Sequence, residues 1–305
     1  MKKMRRGVVL FITLSVIAAM LAMVGVIFAY LEKSRDSASY TAALIQADLL
    51  FRDSKDTIAA LLKQGAEDKE TKKTILDTLY LAPITLQAEE NEEMFTMLYC
   101  QPLDKGVNIN WLGMEENSSA QLRYNTAQTL FDELAERYNL QDSALLLKRI
   151  REAIDGQDGS NAQTQDKFTQ KKGILTLSQM QDIVRDYRFE ADDAAVEDIV
   201  WEKYFSFDSQ DSVMDGSYLS AELIASLFDM ELDLVKEEWL EGDDLKKFVA
   251  GQGGDMSRYN AKLFAAEAIE RMNCRISYGY QGNVYALGFD YLEGKAEKFE
   301  FYGKQ

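Results

Sequence analysis

The chain has 305 residues, 47% of them hydrophobic and only 2 of them proline, enough for one large or two modest domains with cores of their own. Its formal charge is −17, and with Lys2, Lys3, Arg5 and Arg6 set aside the remainder holds 30 basic against 51 acidic groups, or −21. Such a surface repels phosphate backbones and anionic headgroups, so no nucleic acid is expected as a partner, whereas basic surfaces and divalent cations are. The absence of histidine removes the commonest general base and metal ligand, together with the Ser-His and Cys-His nucleophile pairs. No catalytic motif surrounds the many carboxylates, and the chain does not read as an enzyme. Cys100 and Cys274 are too few and too far apart for a zinc motif. In an oxidising compartment they form one bridge; otherwise they are ordinary buried thiols.

The N-terminus opens with a basic head, MKKMRR, followed by twenty-five uncharged residues from Gly7 to Leu31. As a helix this run spans about 37 Å, enough for a hydrocarbon core of about 30 Å. The basic head predicts a cytoplasmic N-terminus and an exported remainder, that is, a single-pass inner-membrane protein with its soluble part in the periplasm. The run is too long for the apolar region of a cleaved secretory signal. From Glu32 to about Lys63 the sequence turns amphipathic with no Gly or Pro to stop it. Ala38, Ala42, Leu44, Ile45, Leu49, Leu50, Ile58, Leu61 and Leu62 recur at helical spacing. One helix from near Val8 to Lys63, half in lipid and half packed on a globular domain, is the simplest expectation.

Farther along, residues 66–95 suggest a short helix and a loop broken by Pro83, and TMLYC and VNINWLG read as two strands around a hairpin. Residues 120–155 carry two helical stripes, Leu122, Leu130, Leu134 and Tyr138, then Leu145, Leu146, Ile150 and Ile154. Asn139 and Asp142 suit the junction between them. More helix is expected over 177–201, 220–250 and 257–272. The C-terminus alternates as an antiparallel meander: CRISYGY, VYALGFDYLE and EKFEFYG, separated by short turns.

A basic head, a single Gly and a long apolar helix resemble the leader of a type IV prepilin or pseudopilin. That resemblance implies cleavage by a prepilin peptidase between Gly7 and Val8 and methylation of the new N-terminus. Most of the family has Glu at the fifth mature position, where this chain has Ile12. The K-subunit minor pseudopilin of type II secretion systems typically lacks that acid, and further segments are similar to it. DKGVNINWL places Asn108 and Asn110 at its asparagine positions; SALLLKRIREAIDGQDG, ILTLSQMQDIV and VMDGSYLSAELIASLF resemble later ones, clearest at Ser220-Ala221-Glu222-Leu223-Ile224. The fold implied is α+β: a pilin-like long helix packed on an antiparallel sheet, with a large helical domain inserted. Its segments are a leader over 1–7, the helix over 8–65, an α+β part over 66–119, the inserted helical domain over 120–250, and a C-terminal helix and meander over 251–305. The function implied is a minor pseudopilin that initiates or caps the pseudopilus tip for protein export. Its partners are then other minor pseudopilins and the prepilin peptidase. A minor pilin of a type IV pilus or DNA-uptake pseudopilus is built on the same chemistry, and a membrane-anchored periplasmic binding or sensor protein is the reading from another class.

The loop IDGQDGSN offers Asp155, Asp158 and Asn161 between turn-forming glycines, the hard oxygens that calcium requires, and equally the make-up of a solvated turn. The resemblance implies calcium in the helical domain, with Asp166 as a later acidic ligand. Asp208, Asp211 and Asp215 read as caps for the helix near 220. Glu238, Glu241, Asp243 and Asp244 read as a solvated face, and Trp111, Trp201 and Trp239 as core or interface aromatics.

Overall fold

The structure, a computed structural model, describes residues 3–65, 68–85, 95–156, 173–208 and 213–304. Helix α1 (Lys3–Gln64) is continuous for 62 residues, about 93 Å at 1.5 Å per residue. Ala43, Ala47, Ser54, Ile58 and Leu62 form its buried face, at the four- and seven-residue steps of one helix side. Helix α2 (Lys69–Leu81) starts at Asp68, whose side chain accepts from the Thr71 N–H at 2.9 Å, and stops before Pro83.

The chain then enters strands β1 (Ile84–Thr85) and β2 (Thr96–Pro102). VNINWLG does not return as a hairpin. Val107–Asn108 forms a short strand β3, and Ile109–Gly113 closes into a 3-10 turn. The partner of β3 is parallel: Phe205–Ser206, strand β4, nearly a hundred residues downstream. No local pattern could announce that pairing.

Between β3 and β4 lie α3 (Gln121–Arg137), α4 (Ser143–Asp155) and α5 (Leu177–Ala191). Asn139 takes a left-handed φ of 52° and Asp142 caps α4, as the α3–α4 junction requires. The helix expected to run to 201 ends at Ala191, because Asp192 adopts φ 51° and Asp193 caps a following 3-10 turn. Likewise 220–250 is three helices, α6 (Ala221–Phe228), α7 (Leu232–Glu238) and α8 (Leu245–Gly251), broken at Asp229 and Gly242, both at positive φ. The helix expected over 257–272 is absent. That stretch holds 3-10 turns at Met256–Arg258 and Ala261–Leu263, then begins strand β5. Asp255 and Asn260 each accept from the N–H two residues ahead, a local bond that competes with helix.

Strands β5 (Arg271–Tyr280), β6 (Asn283–Leu292) and β7 (Lys295–Lys304) make the expected meander and complete a five-stranded antiparallel sheet in the order β1-β2-β5-β6-β7. Alternate residues Leu98 and Cys100, Met272, Cys274, Ile276 and Tyr278, and Tyr285, Leu287, Phe289 and Tyr291 turn to one face and pack with α1 and α2. A second core, around Trp111, Phe131, Leu134, Leu146, Ile150, Tyr187 and Phe228, belongs to the helices. It also takes Val107 to Leu112 before α3, and Leu263 and Phe264 after α8. The protein is therefore α+β: a long N-terminal helix, an antiparallel sheet on its C-terminal half, and a helical layer between two neighbouring strands.

Candidate functional site: an apolar helix face and a buried junction

From Phe11 to Leu31 every residue of α1 is exposed, and its most apolar 18-residue window has a mean hydropathy of 2.6. The helix is long and apolar enough to cross a membrane. Apolar exposure does not stop where the uncharged run ends. Ile45 and Leu49 are 60% and 51% exposed although the sheet covers the other side of the same turns. At about 100° per residue they lie about 160° round from the buried face. They continue a series, Val24, Phe28, Leu31, Ala38, Ala42, Ile45 and Leu49, spaced by threes, fours and one seven. Helical periodicity had grouped Ile45 and Leu49 with Ile58 and Leu62; the structure separates them onto opposite faces.

The sheet and the helical layer meet through buried charge. The Arg271 guanidinium, 4% exposed, contacts Asp104 at 3.1 Å and pairs also with Asp208. The Asp208 carbonyl accepts from Asn108 at 3.2 Å and from Asn110 at 2.8 Å. Asn110 in addition exchanges two bonds with the Ile174 backbone, at 2.7 and 2.9 Å, in the manner of a strand partner. The two asparagines of DKGVNINWL thus stitch three remote segments together. Gly106 precedes them where β3 and β4 approach so closely that a Cβ would fall 2.7 Å from the Phe205 carbonyl carbon. A second latch joins α2 to the helical layer. Lys73 bonds Asp77 at 2.9 Å and the Gly242 carbonyl at 2.5 Å, and the Tyr218 hydroxyl donates to Asp77. Burial, and then the bonded Asp77 carboxylate, push the Tyr218 phenol well above its ordinary range. Burial also raises the Asp215 carboxyl, against the N–H groups of Ser217 and Ile269 that it accepts.

Gly7 and Val8 lie within α1. Cys100 and Cys274 face one another across β2 and β5 and are joined by a disulfide, both fully buried. Asp155 is exposed at the last position of α4, with Gly156 left-handed after it at φ 74°. Asp158, Asn161 and Asp166 lie outside the described residues, as does Asp211. Among the described residues no three carboxylates converge to hold a metal. Asp215 caps the turn Gly216–Tyr218, and α6 is capped by Ser220. Glu238, Glu241, Asp243 and Asp244 are exposed, Asp244 capping α8, and Trp111, Trp201 and Trp239 are core residues. Sequence reasoning missed Asp104, Arg271 and Lys73. A buried arginine opposite two aspartates has no spacing signature, because the three residues come from separate segments.

The chain matches no protein-family model, and no curated protein matches it in sequence.

Proposed function

We propose that the protein is a minor subunit of a pilin-type assembly, most similar to the K-subunit minor pseudopilin of type II secretion, and that it initiates or caps the pseudopilus tip. The observation that carries this reading is the apolar series on α1, which continues to Leu49, about 27 Å beyond Leu31 along the helix. A bilayer that covers Phe11 to Leu31 does not reach Leu49, and a simple anchor has no use for an apolar seam there. Packing against the helices of neighbouring subunits does use it, first within the membrane and then in an extracted filament. The helical layer, tied to the sheet and α2 through Arg271 and Lys73, adds bulk that would obstruct a further subunit above, which suits a first or last position. Ile12 leaves no acid to neutralise the N-terminus of a subunit above, consistent with the same place. Partners are then other minor pseudopilins, met through α1.

Intact mass and N-terminal sequencing of the membrane-extracted chain, with and without active prepilin peptidase, test the proposal. The expected product starts at methylated Val8. A chain that keeps MKKMRRG in the presence of active enzyme overturns the reading and leaves a membrane-anchored periplasmic protein.

A further inference from the structure

The helical layer contains a cleft of about 350 Å³ between α3 and α6, bounded by residues 258–264. Its floor is apolar: Leu130, Phe228, Leu263 and Phe264 are each at most 8% exposed. The lining rings of Phe228 and Phe264 are held by stacking on each other at 6.4 Å and on Tyr259, which does not line the cleft, at 6.3 and 5.2 Å. Its polar lining comprises Asn125, Thr126, Thr129, Glu133, Ser226 and Arg258, of which Glu133 and Arg258 are charged. Concave sites of this size that combine apolar walls with placed polar groups are the usual form of a small-ligand site.

Glu133 decides which charge the cleft favours. Its carboxylate meets Arg258 at 3.5 Å, where a good charged hydrogen bond is about 2.8 Å. Arg258 is divided further, with Asp255 at 3.4 Å and the Ser226 carbonyl at 3.4 Å. Arg137, the other nearby cation, donates instead to the Ser226 hydroxyl at 3.0 Å and to the Tyr204 hydroxyl at 3.3 Å. Burial accordingly pushes the Glu133 carboxyl up, against the pull of Arg258 and Arg137. A bound carboxylate would have to compete with Glu133 and Asp255 for one guanidinium. A bound ammonium could approach Glu133 more closely than Arg258 does, and the chain's net charge of −17 draws cations in the same sense.

We propose that this cleft binds an apolar, ring-sized group carrying a protonated amine, with the ring against Phe228 and Leu263 and the ammonium on Glu133. A free arylalkylamine presents that group, and so does an aromatic residue beside a lysine in a partner's peptide.

The test uses the full chain, methyl-labelled, in phosphatidylcholine nanodiscs. It is titrated with phenethylamine, its anionic counterpart 3-phenylpropionate, and a capped peptide containing Phe-Lys. The expected result is saturable shifts at the Leu130 and Leu263 methyls, with phenethylamine binding about tenfold more tightly than phenylpropionate. Glu133→Gln should abolish that preference, and Thr129→Trp, an exposed change on the cleft rim, should abolish binding of all three. Tighter binding of the peptide than of the amine assigns the source to a partner segment, and the reverse order assigns it to a free amine. Shifts that never saturate, equal affinity for cation and anion, or binding that survives Thr129→Trp would each overturn the proposal.

Discussion

Removing the disulfide tests how the two cores are coupled. Cys100 and Cys274 are opposite one another on adjacent strands but 174 residues apart in sequence, and the loop they close contains the whole helical layer. Loop closure of that length restricts the unfolded chain by about 5 kcal/mol at 25 °C. Folded domains are stable by only about 5–15 kcal/mol, so the double variant Cys100→Ala/Cys274→Ala should lose a third or more of the sheet's stability. The effect should be unequal across the molecule, since Trp111, Trp201 and Trp239 all lie in the helical core whereas the bridge lies in the sheet core. Hydrogen exchange of the full chain in nanodiscs reads the sheet, and tryptophan fluorescence during urea unfolding reads the helices. Amide protection in β2 and β5 should fall by about three and a half orders of magnitude, at about 1.4 kcal/mol per decade, while the fluorescence midpoint moves much less. A loss of protection under tenfold, or a fluorescence midpoint that falls as far as the sheet, would refute the reasoning.

Three further outcomes are expected. Arg271→Met leaves Asp104 and Asp208 buried without their cation, and should cost about 3–5 kcal/mol, read as a lower urea midpoint; an unchanged midpoint would show that the junction carries no strain of charge. Asp193 is buried, which alone would raise its carboxyl, yet bonds from the Gln141 N–H, the Tyr187 hydroxyl and the Ala195 N–H outweigh this and hold it below the ordinary aspartate range. Because its folded value lies beneath the unfolded one, the stability it contributes is present above about pH 3.9 and is lost as pH falls through the folded value. Asp193→Asn should therefore flatten the decline of the urea midpoint below pH 4, and a decline as steep as that of the parent would contradict it. Ile45→Glu/Leu49→Glu, on the exposed side of α1, should change fold stability by no more than about 0.5 kcal/mol per site while abolishing recovery of the chain in a higher-order membrane assembly; assembly that persists removes the chief support for the proposed function.

Legibility from sequence varied with the range of the interactions responsible. Helix α1 was readable because the uncharged run passes into an amphipathic one with no breaker near Glu32, and the meander because β5 to β7 alternate between turns such as Gln281-Gly282 and Glu293-Gly294. The stretch 257–272 misled because Ala, Glu and Arg favour helix in isolation. There the side chains of Asp255 and Asn260 bond locally, and Arg271 and Met272 are drawn into pairing with β2 and β6. Periodicity also fails to say which of two apolar sides of a helix meets its own domain, and so it does not separate Ile45 and Leu49 from Ile58 and Leu62. The asparagine pair was visible as a motif, but its role was not. Asn108 and Asn110 act on Ile174 and Asp208, whose proximity only the assembled fold creates.

Pro102 and Met272 stand opposite each other in the β2–β5 register, so the chain departs from the sheet and rejoins it at one place. Viewed from the sheet, the entire helical layer occupies the position of a hairpin turn. Its removal would leave two ends already adjacent, bolted one step away by Cys100 and Cys274, and ready to be closed by a few residues. An architecture of that kind lets the insert be enlarged, exchanged or deleted while the strands and α1 keep their geometry. Variation in the outer part of the molecule is thereby separated from whatever uniformity its long helix must keep.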